Sequence, residues 1–160
     1  MEEQPEDAQR HETSAERYDR NFGEVLQELR VAQTGVQILF AFLLTTAFTG
    51  LLQRSDRFVH GVLAVTLVLA ALATAVLIAP VALHRALFQQ HLKEQVVLLS
   101  SALARVGLVL LMLAVSGTCL LALDAVLPRG AALAVSAGVL AVFAVLWFVV
   151  PAALARSRRR

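Results

Sequence analysis

The chain has 160 residues, of which 58% are hydrophobic and 16% charged, with a formal net charge of +2. Soluble domains have about 45–50% apolar and about 25% charged residues, so a soluble globule of this composition would expose too much apolar surface. The composition excludes a soluble enzyme, a disordered chain and a fibrous protein, and indicates an integral membrane protein. Nine of the twelve acidic residues precede residue 30, so a basic nucleic-acid-binding face is not supported.

The N-terminal region is polar and divides into two parts. Residues 1–16 carry six acids and one arginine, which predicts a disordered acidic tail. In residues 17–30 an apolar stripe recurs every three or four positions, at Tyr18, Phe22, Val25, Leu26 and Leu29. This spacing predicts an amphipathic juxtamembrane helix, which either lies on the inner membrane surface or continues into the first span.

Four uncharged stretches follow, and each is long enough to cross a membrane as a helix. We predict an all-α, four-helix transmembrane bundle in a domain of residues 31–155, with spans at about 31–52, 59–83, 97–123 and 131–154. The start of the third span is ambiguous, because Arg105 interrupts a longer apolar pattern. We expect a helical approach from Phe88 onwards that merges into this span. Residues 156–160 form a basic tail.

Positive charge is distributed unequally between the two sides of this arrangement. Eleven of the fourteen Lys and Arg residues fall on the side that holds both tails, and three on the other. This asymmetry predicts a protein of the inner (plasma) membrane with both termini in the cytoplasm.

The first span has an unusual polar face formed by Arg30, Gln33, Thr34 and Gln37. At 100° per residue these four side chains fall within a sector of about 100°. Polar side chains at this depth form hydrogen bonds between helices. One interpretation is therefore a packing clamp between helices or subunits, and a second is the wall of a polar pathway. A third is a shallow position of these side chains among the lipid headgroups.

A second cluster of interest is formed by His84, Arg85 and His91. The two histidines are seven residues apart, or about 10.5 Å along a helix, which is too far for a metal site of the i, i+4 type. We interpret the cluster as an interfacial positive patch that anchors the second span. Three polar residues, Asp56, His60 and Asp124, lie at the outer ends of the spans. None of the four predicted spans contains Asp or Glu. The lack of a carboxylate inside the spans argues against a self-contained proton- or sodium-coupled carrier.

Small residues also recur at four-residue spacing, which favours close helix packing. They are Ala71, Ala75 and Ala79, then Ala114, Thr118 and Ala122, then Gly130, Ala134 and Gly138. The sequence has no catalytic motif and no phosphate-binding loop, so we expect neither enzymatic activity nor a cofactor.

Two stretches resemble a known protein family. The first comprises residues 17–24 and 26–40, and its most specific part is the run Leu29-Arg30-Val31-Ala32-Gln33-Thr34-Gly35-Val36-Gln37. The second is Ile78-Ala79-Pro80-Val81 followed by His84-Arg85. The family consists of small four-span bacterial membrane proteins, mostly actinobacterial, of unknown function. The resemblance implies the same topology and supplies no activity.

The sequence leaves two functional hypotheses. The first is a membrane protein that acts by helix packing, as a homo-oligomer or as an accessory subunit of a larger membrane complex. The second is a small oligomeric transporter or channel of the cation or proton class, with a polar path along the first span. In both, the lipid bilayer is the surrounding partner.

Overall fold

A computed structural model describes residues 14–50, 55–87 and 93–157 of the chain. The helices are α1 (Ser14–Ala47), α2 (Arg57–Leu87), α3 (Lys93–Asp124) and α4 (Arg129–Ala144), which continues through a π-helical turn (Val145–Val149) into α5 (Val150–Ser157). These described parts contain no strand. Four helical segments are long and apolar enough to cross a membrane, at residues 26–47, 57–83, 98–124 and 129–157. The predicted all-α, four-span fold class is confirmed, and the architecture is that of a multi-pass membrane protein.

Helix α1 joins the amphipathic segment and the first span without a break. Its 34 residues contain no proline, and at about 1.5 Å per residue they extend for about 51 Å. Its buried residues Leu29, Val36 and Leu43 are spaced seven residues apart, so they form one seam against α2 and α3. The helix ends at Ala47, before the end near residue 52 that the sequence suggests. Residues 1–13 and 51–54 lie outside the described residues.

Helices α2 and α3 form the most extensive contact in the described structure. The buried residues of α2 follow one another at three- and four-residue spacing; they are Leu63, Thr66, Ala70, Ala73, Leu77 and Pro80. On α3 the backbone approaches closely at Gly107 and Gly117, where a Cβ atom would collide with the Leu77 and Thr66 side chains. Glycine allows this approach because it has no side chain. Close backbone contact stabilises pairs of membrane helices, since hydrophobic burial does not favour their association in lipid.

Helix α3 begins in the described structure at Lys93 and contains Arg105, which is exposed within it. The helix therefore does start before Arg105, and residues 88–92 of the expected helical approach lie outside the described residues. Arg105 lines a cleft of about 360 Å³ between α1 and α3, together with Glu28 of α1.

Helix α4 packs mainly on α3 and leaves most of its surface open. Its buried residues are Ala132 and Ser136. The π-helical turn precedes Pro151, and the Val150 N–H donates to the Val145 carbonyl five residues earlier. A wider turn here relieves the clash between a proline ring and the preceding carbonyls. Trp147, in this turn, contacts Phe143 edge-on at 4.9 Å between ring centroids.

The small-residue stripes of α2 and α4 face outward. Ala71 and Ala75 of α2 are exposed, and so are Gly130, Ala134 and Gly138 of α4. These stripes therefore form no buried contact in the described structure, where other small residues are buried instead: Ala70 and Ala73 on α2, and Ala132 and Ser136 on α4. Their use in a contact between two copies of the chain stays a prediction. On α3, Ala114 is buried as expected, whereas Ala122 is exposed.

Candidate functional site: the polar face of helix α1 and the loop-end cleft

The structure divides the predicted polar face of α1 between two environments. Gln33 is half-buried, and its Nε2 donates a hydrogen bond to the Leu77 carbonyl oxygen of α2 at 2.8 Å. Pro80 has no N–H to donate to the Val76 carbonyl, so the α2 backbone is short of donors at this point. Gln33 bonds to the next carbonyl, that of Leu77, so it does not replace the donor that Pro80 lacks. It holds α1 against α2 one residue away from the interrupted hydrogen bond.

The other three members of the polar face, Arg30, Thr34 and Gln37, are exposed. The Thr34 hydroxyl donates to the Arg30 carbonyl of its own helix at 3.0 Å. Gln37 has no hydrogen bond to any described residue. It belongs to an exposed row with alternating three- and four-residue spacing, which we call the outer stripe: Thr34, Gln37, Ala41, Leu44 and Phe48.

The predicted cluster of His84, Arg85 and His91 is only partly described. His84 and Arg85 lie in the last turn of α2, their side chains are outside the described structure, and so is the whole of His91. The interfacial patch therefore stays a prediction. Among the described residues, no group of three His, Cys, Asp or Glu side chains is placed to hold a metal ion.

At the opposite end of the helices, Arg129 joins three of them. Its guanidinium pairs with Asp124 at the end of α3, through Nε to Oδ1 at 3.1 Å and Nη2 to Oδ2 at 3.3 Å. Its Nη1 lies 2.8 Å from Oδ2 of Asp56, which precedes α2. The guanidinium carbon also lies 4.3 Å from the centre of the Phe58 ring. One arginine at the start of α4 thus ties α2, α3 and α4 together.

Asp56 has a second role at the start of α2. Its Oδ1 accepts a hydrogen bond from the Val59 N–H at 3.1 Å, which caps the helix. The Arg129 guanidinium and this backbone N–H hold the pKa of the Asp56 carboxyl below its ordinary value of 3.8. Beside it, His60 Nδ1 lies 2.8 Å from the Asp56 carbonyl oxygen.

The same end contains a cleft of about 620 Å³, which we call the loop-end cleft. Its mouth holds Asp56, Asp124 and Arg129, and threonines of α1 line one side. Ligand sites in proteins are typically about 300–1,000 Å³, mostly apolar, with a few convergent polar groups. The loop-end cleft fits this description.

A sequence profile of a family of unknown function, DUF6328, matches residues 11–151. The chain belongs to this family. No curated protein and no solved structure is significantly similar to it. The range that matches DUF6328 contains the outer stripe and every residue of the loop-end cleft.

The loop-end cleft of this DUF6328 protein was only partly visible in the sequence. Asp56 and Asp124 stand out as acids at the outer span ends, whereas Arg129 is noticeable only as one of three basic residues on that side. Two acids and one arginine at helix ends on the same side of a bundle are a usable signal for an ion-pair cluster. The threonines that line the cleft, Thr45, Thr46 and Thr49, could not be identified from the sequence, because threonine is common in membrane helices.

Proposed function

We propose that this DUF6328 protein is a non-enzymatic membrane protein that acts through helix packing, and that it self-associates along the outer stripe of α1. The observation that carries this proposal is the position of Gln37. It lies seven residues beyond Arg30, the last charge before the first span, or about 10 Å further along the helix. Its amide is exposed there within the uncharged stretch, and lipid offers no hydrogen-bond partner to a polar group at that depth.

A second copy of the chain supplies what the Gln37 amide lacks. An amide carries both donors and an acceptor, so two Gln37 side chains facing each other across a two-fold axis satisfy one another. The neighbours of Gln37 on the stripe favour the same contact. Ala41 is small enough for the two backbones to approach, and the alternating spacing keeps Leu44 on the same seam. Phe48 is exposed one residue beyond the helix end.

Arg30, one turn before the stripe, fits this arrangement because its long side chain reaches the headgroup region rather than the seam. The distribution of Lys and Arg supports a plasma-membrane location with both ends of the helical domain in the cytoplasm. In that orientation the loop-end cleft opens on the outer side. The residue pattern shared with mostly actinobacterial proteins supports a bacterial source.

The oligomeric state in a bilayer tests the proposal. Labelled protein is reconstituted at a series of protein-to-lipid ratios, and single-molecule photobleaching counts the copies per complex. We expect wild type to dimerise and Gln37→Leu to dimerise about tenfold more weakly, because two hydrogen bonds worth roughly 0.6–1.7 kcal/mol each are lost. Gly35→Ala is the matched control, because Gly35 is exposed on another face of α1 and has open space around it.

Two results would overturn this function. Monomers at all protein densities in wild type would exclude self-association and would make an accessory subunit of a larger complex the better explanation. Proton or sodium flux through wild-type proteoliposomes, abolished by Gln37→Leu in folded protein, would instead make the polar face a pathway.

A further inference from the structure

We propose that the loop-end cleft binds a protonated amine that carries a small apolar group. The proposal does not depend on self-association, because the cleft is built from one chain. Three properties of its walls carry the inference: the direction of the threonine hydroxyls, the balance of charge at the mouth, and the apolar interior.

Two threonines of α1, Thr45 and Thr46, and Thr49 just after the helix end present acceptors to the cleft. Thr45 donates its hydroxyl proton to the Ala41 carbonyl at 2.9 Å, Thr46 to the Phe42 carbonyl at 2.9 Å, and Thr49 to the Thr46 carbonyl at 2.8 Å. With the protons committed to the backbone, each oxygen keeps lone pairs that only a donor can use. A ligand that hydrogen-bonds to this wall must therefore carry N–H or O–H groups.

The charge at the mouth of the cleft favours positively charged ligands among those that carry N–H or O–H groups. Among the residues that line the cleft, two carboxylates, Asp56 and Asp124, share one guanidinium, Arg129, so the lining carries one surplus negative charge. Arg57, which follows Asp56, does not line the cleft. The Asp124 side chain is only 10% exposed, so the surplus charge is poorly screened by water and attracts a cation. Three of the four carboxylate oxygens contact Arg129, and the fourth, Asp56 Oδ1, accepts from the Val59 N–H. Each keeps acceptor capacity beyond that one contact. An ammonium group, with a positive charge and N–H donors, satisfies the carboxylates and the threonine oxygens together.

The interior of the cleft is lined by apolar side chains, which favour a ligand that carries an apolar group. Phe42, Leu63 and Leu121 line it, and Phe42 lies four residues before Thr46, or about 6 Å deeper along α1. An aryl or short alkyl group attached to the ammonium fits this depth, whereas a bare metal cation leaves the apolar wall uncovered.

The test uses the full chain in lipid nanodiscs and three probes with the same phenethyl group. Phenethylammonium has charge and donors, phenethyltrimethylammonium has charge without donors, and phenethyl alcohol has a donor without charge. Binding is measured by saturation-transfer NMR and by the shift in unfolding temperature. We expect phenethylammonium to bind at least tenfold more tightly than either comparator.

Variants then locate the binding. Thr46→Val removes one acceptor from the wall and is expected to weaken phenethylammonium about fivefold or more. Thr74→Val is the matched control, because Thr74 donates to the Ala70 carbonyl in the same way but does not line the cleft. Asp56→Asn is a second variant, at a half-exposed position where asparagine can still cap the helix. It is expected to weaken binding of the ammonium probe and not of the alcohol.

Equal binding of the three probes would overturn the proposal and would indicate partition into lipid. Equal effects of Thr46→Val and Thr74→Val on phenethylammonium, with no effect of Asp56→Asn, would also overturn it. Neither result would affect the self-association of α1, which is measured separately.

Discussion

Glycines have different surroundings in two regions of the molecule. One region is the interface between α2 and α3, and the other is the outward surfaces of α1 and α4. In the former, glycines face large buried side chains and leave no space for a methyl group. In the latter, the glycines have open space, with nothing within 4 Å of an added Cβ at Gly35 or Gly138. The difference teaches that small residues alone do not identify a contact within the chain. The α2–α3 interface provides the fold, and the open faces are available for contacts outside it.

Substitution of Gly107, in the α2–α3 interface, is expected to change stability more than any other substitution considered below. The Cβ of Gly107→Ala would lie 2.5 Å from Leu77 Cδ2, and Leu77 is fully buried, so it has little room to move. We expect the free energy of unfolding to fall by about 1–3 kcal/mol. Reversible unfolding in detergent, followed by circular dichroism, measures the change.

Gly138→Ala is the matched control for Gly107→Ala on the open face of α4. It is expected to leave stability unchanged or to raise it slightly, because alanine has the higher helix propensity. If both substitutions destabilise the protein equally, the distinction between the two surfaces is wrong.

Gln33 and Gln37 sharpen the comparison within one helix. Gln33→Leu removes the hydrogen bond to the Leu77 carbonyl and is expected to lower the free energy of unfolding by about 1 kcal/mol. Gln37→Leu is expected to leave the stability of the monomer unchanged in dilute micelles, since it loses no contact with a described residue. A destabilisation by Gln37→Leu as large as that by Gln33→Leu would show that both amides act within the chain.

Asp56 gives a smaller effect, and it depends on pH. Asp56→Asn keeps the helix cap and removes the ion pair with Arg129, so we expect a modest fall in unfolding temperature at pH 7. The lowered pKa of Asp56 means that the ion pair stabilises the fold above about pH 3.8, the ordinary value, and that this stabilisation is lost as the pH falls through the lowered pKa. The difference between wild type and Asp56→Asn should therefore vanish in strong acid. A difference that grows on acidification would contradict this ion pair.

Ser136 of α4 gives the smallest effect. Its hydroxyl is buried and has no hydrogen-bond partner among the described residues. Ser136→Ala removes a polar group that contributes no bond, so we expect a change within about 0.5 kcal/mol, in the stabilising direction. A clear loss of stability in the same unfolding assay would mean that the hydroxyl has a partner in the membrane-embedded protein.

The sequence was sufficient to predict four apolar helices, and charge marks several of their ends, although α1 and α3 continue past Arg30 and Arg105. Arg57, Asp124 and Arg129 bound the spans in the sequence and in the structure alike. Hydrophobic length, which sets a membrane helix, is a local property that a single sequence contains.

The division of the polar face could not be predicted in the same way. Gln33 and Gln37 differ by only about 40° around the helix, so the pattern places both on one face. The crossing of α1 and α2 decides which of the two side chains contacts α2, and the acceptor there is a backbone carbonyl, that of Leu77. The pattern of side chains in the sequence predicts neither the crossing nor this acceptor. Likewise, the partnership of Asp56, Asp124 and Arg129 depends on three helix ends that are distant in sequence.

The most direct test of the central claim, self-association along the outer stripe, is disulfide crosslinking in native membranes. Ala41→Cys lies on the stripe and keeps Gln37 intact, whereas Gly35→Cys is exposed about 120° away on the same helix; both are made with Cys119→Ala, which removes the one native cysteine. We predict that mild oxidation crosslinks Ala41→Cys into a dimer and leaves Gly35→Cys monomeric. Crosslinking of Gly35→Cys to an equal or greater extent, or of neither variant, would contradict the claim.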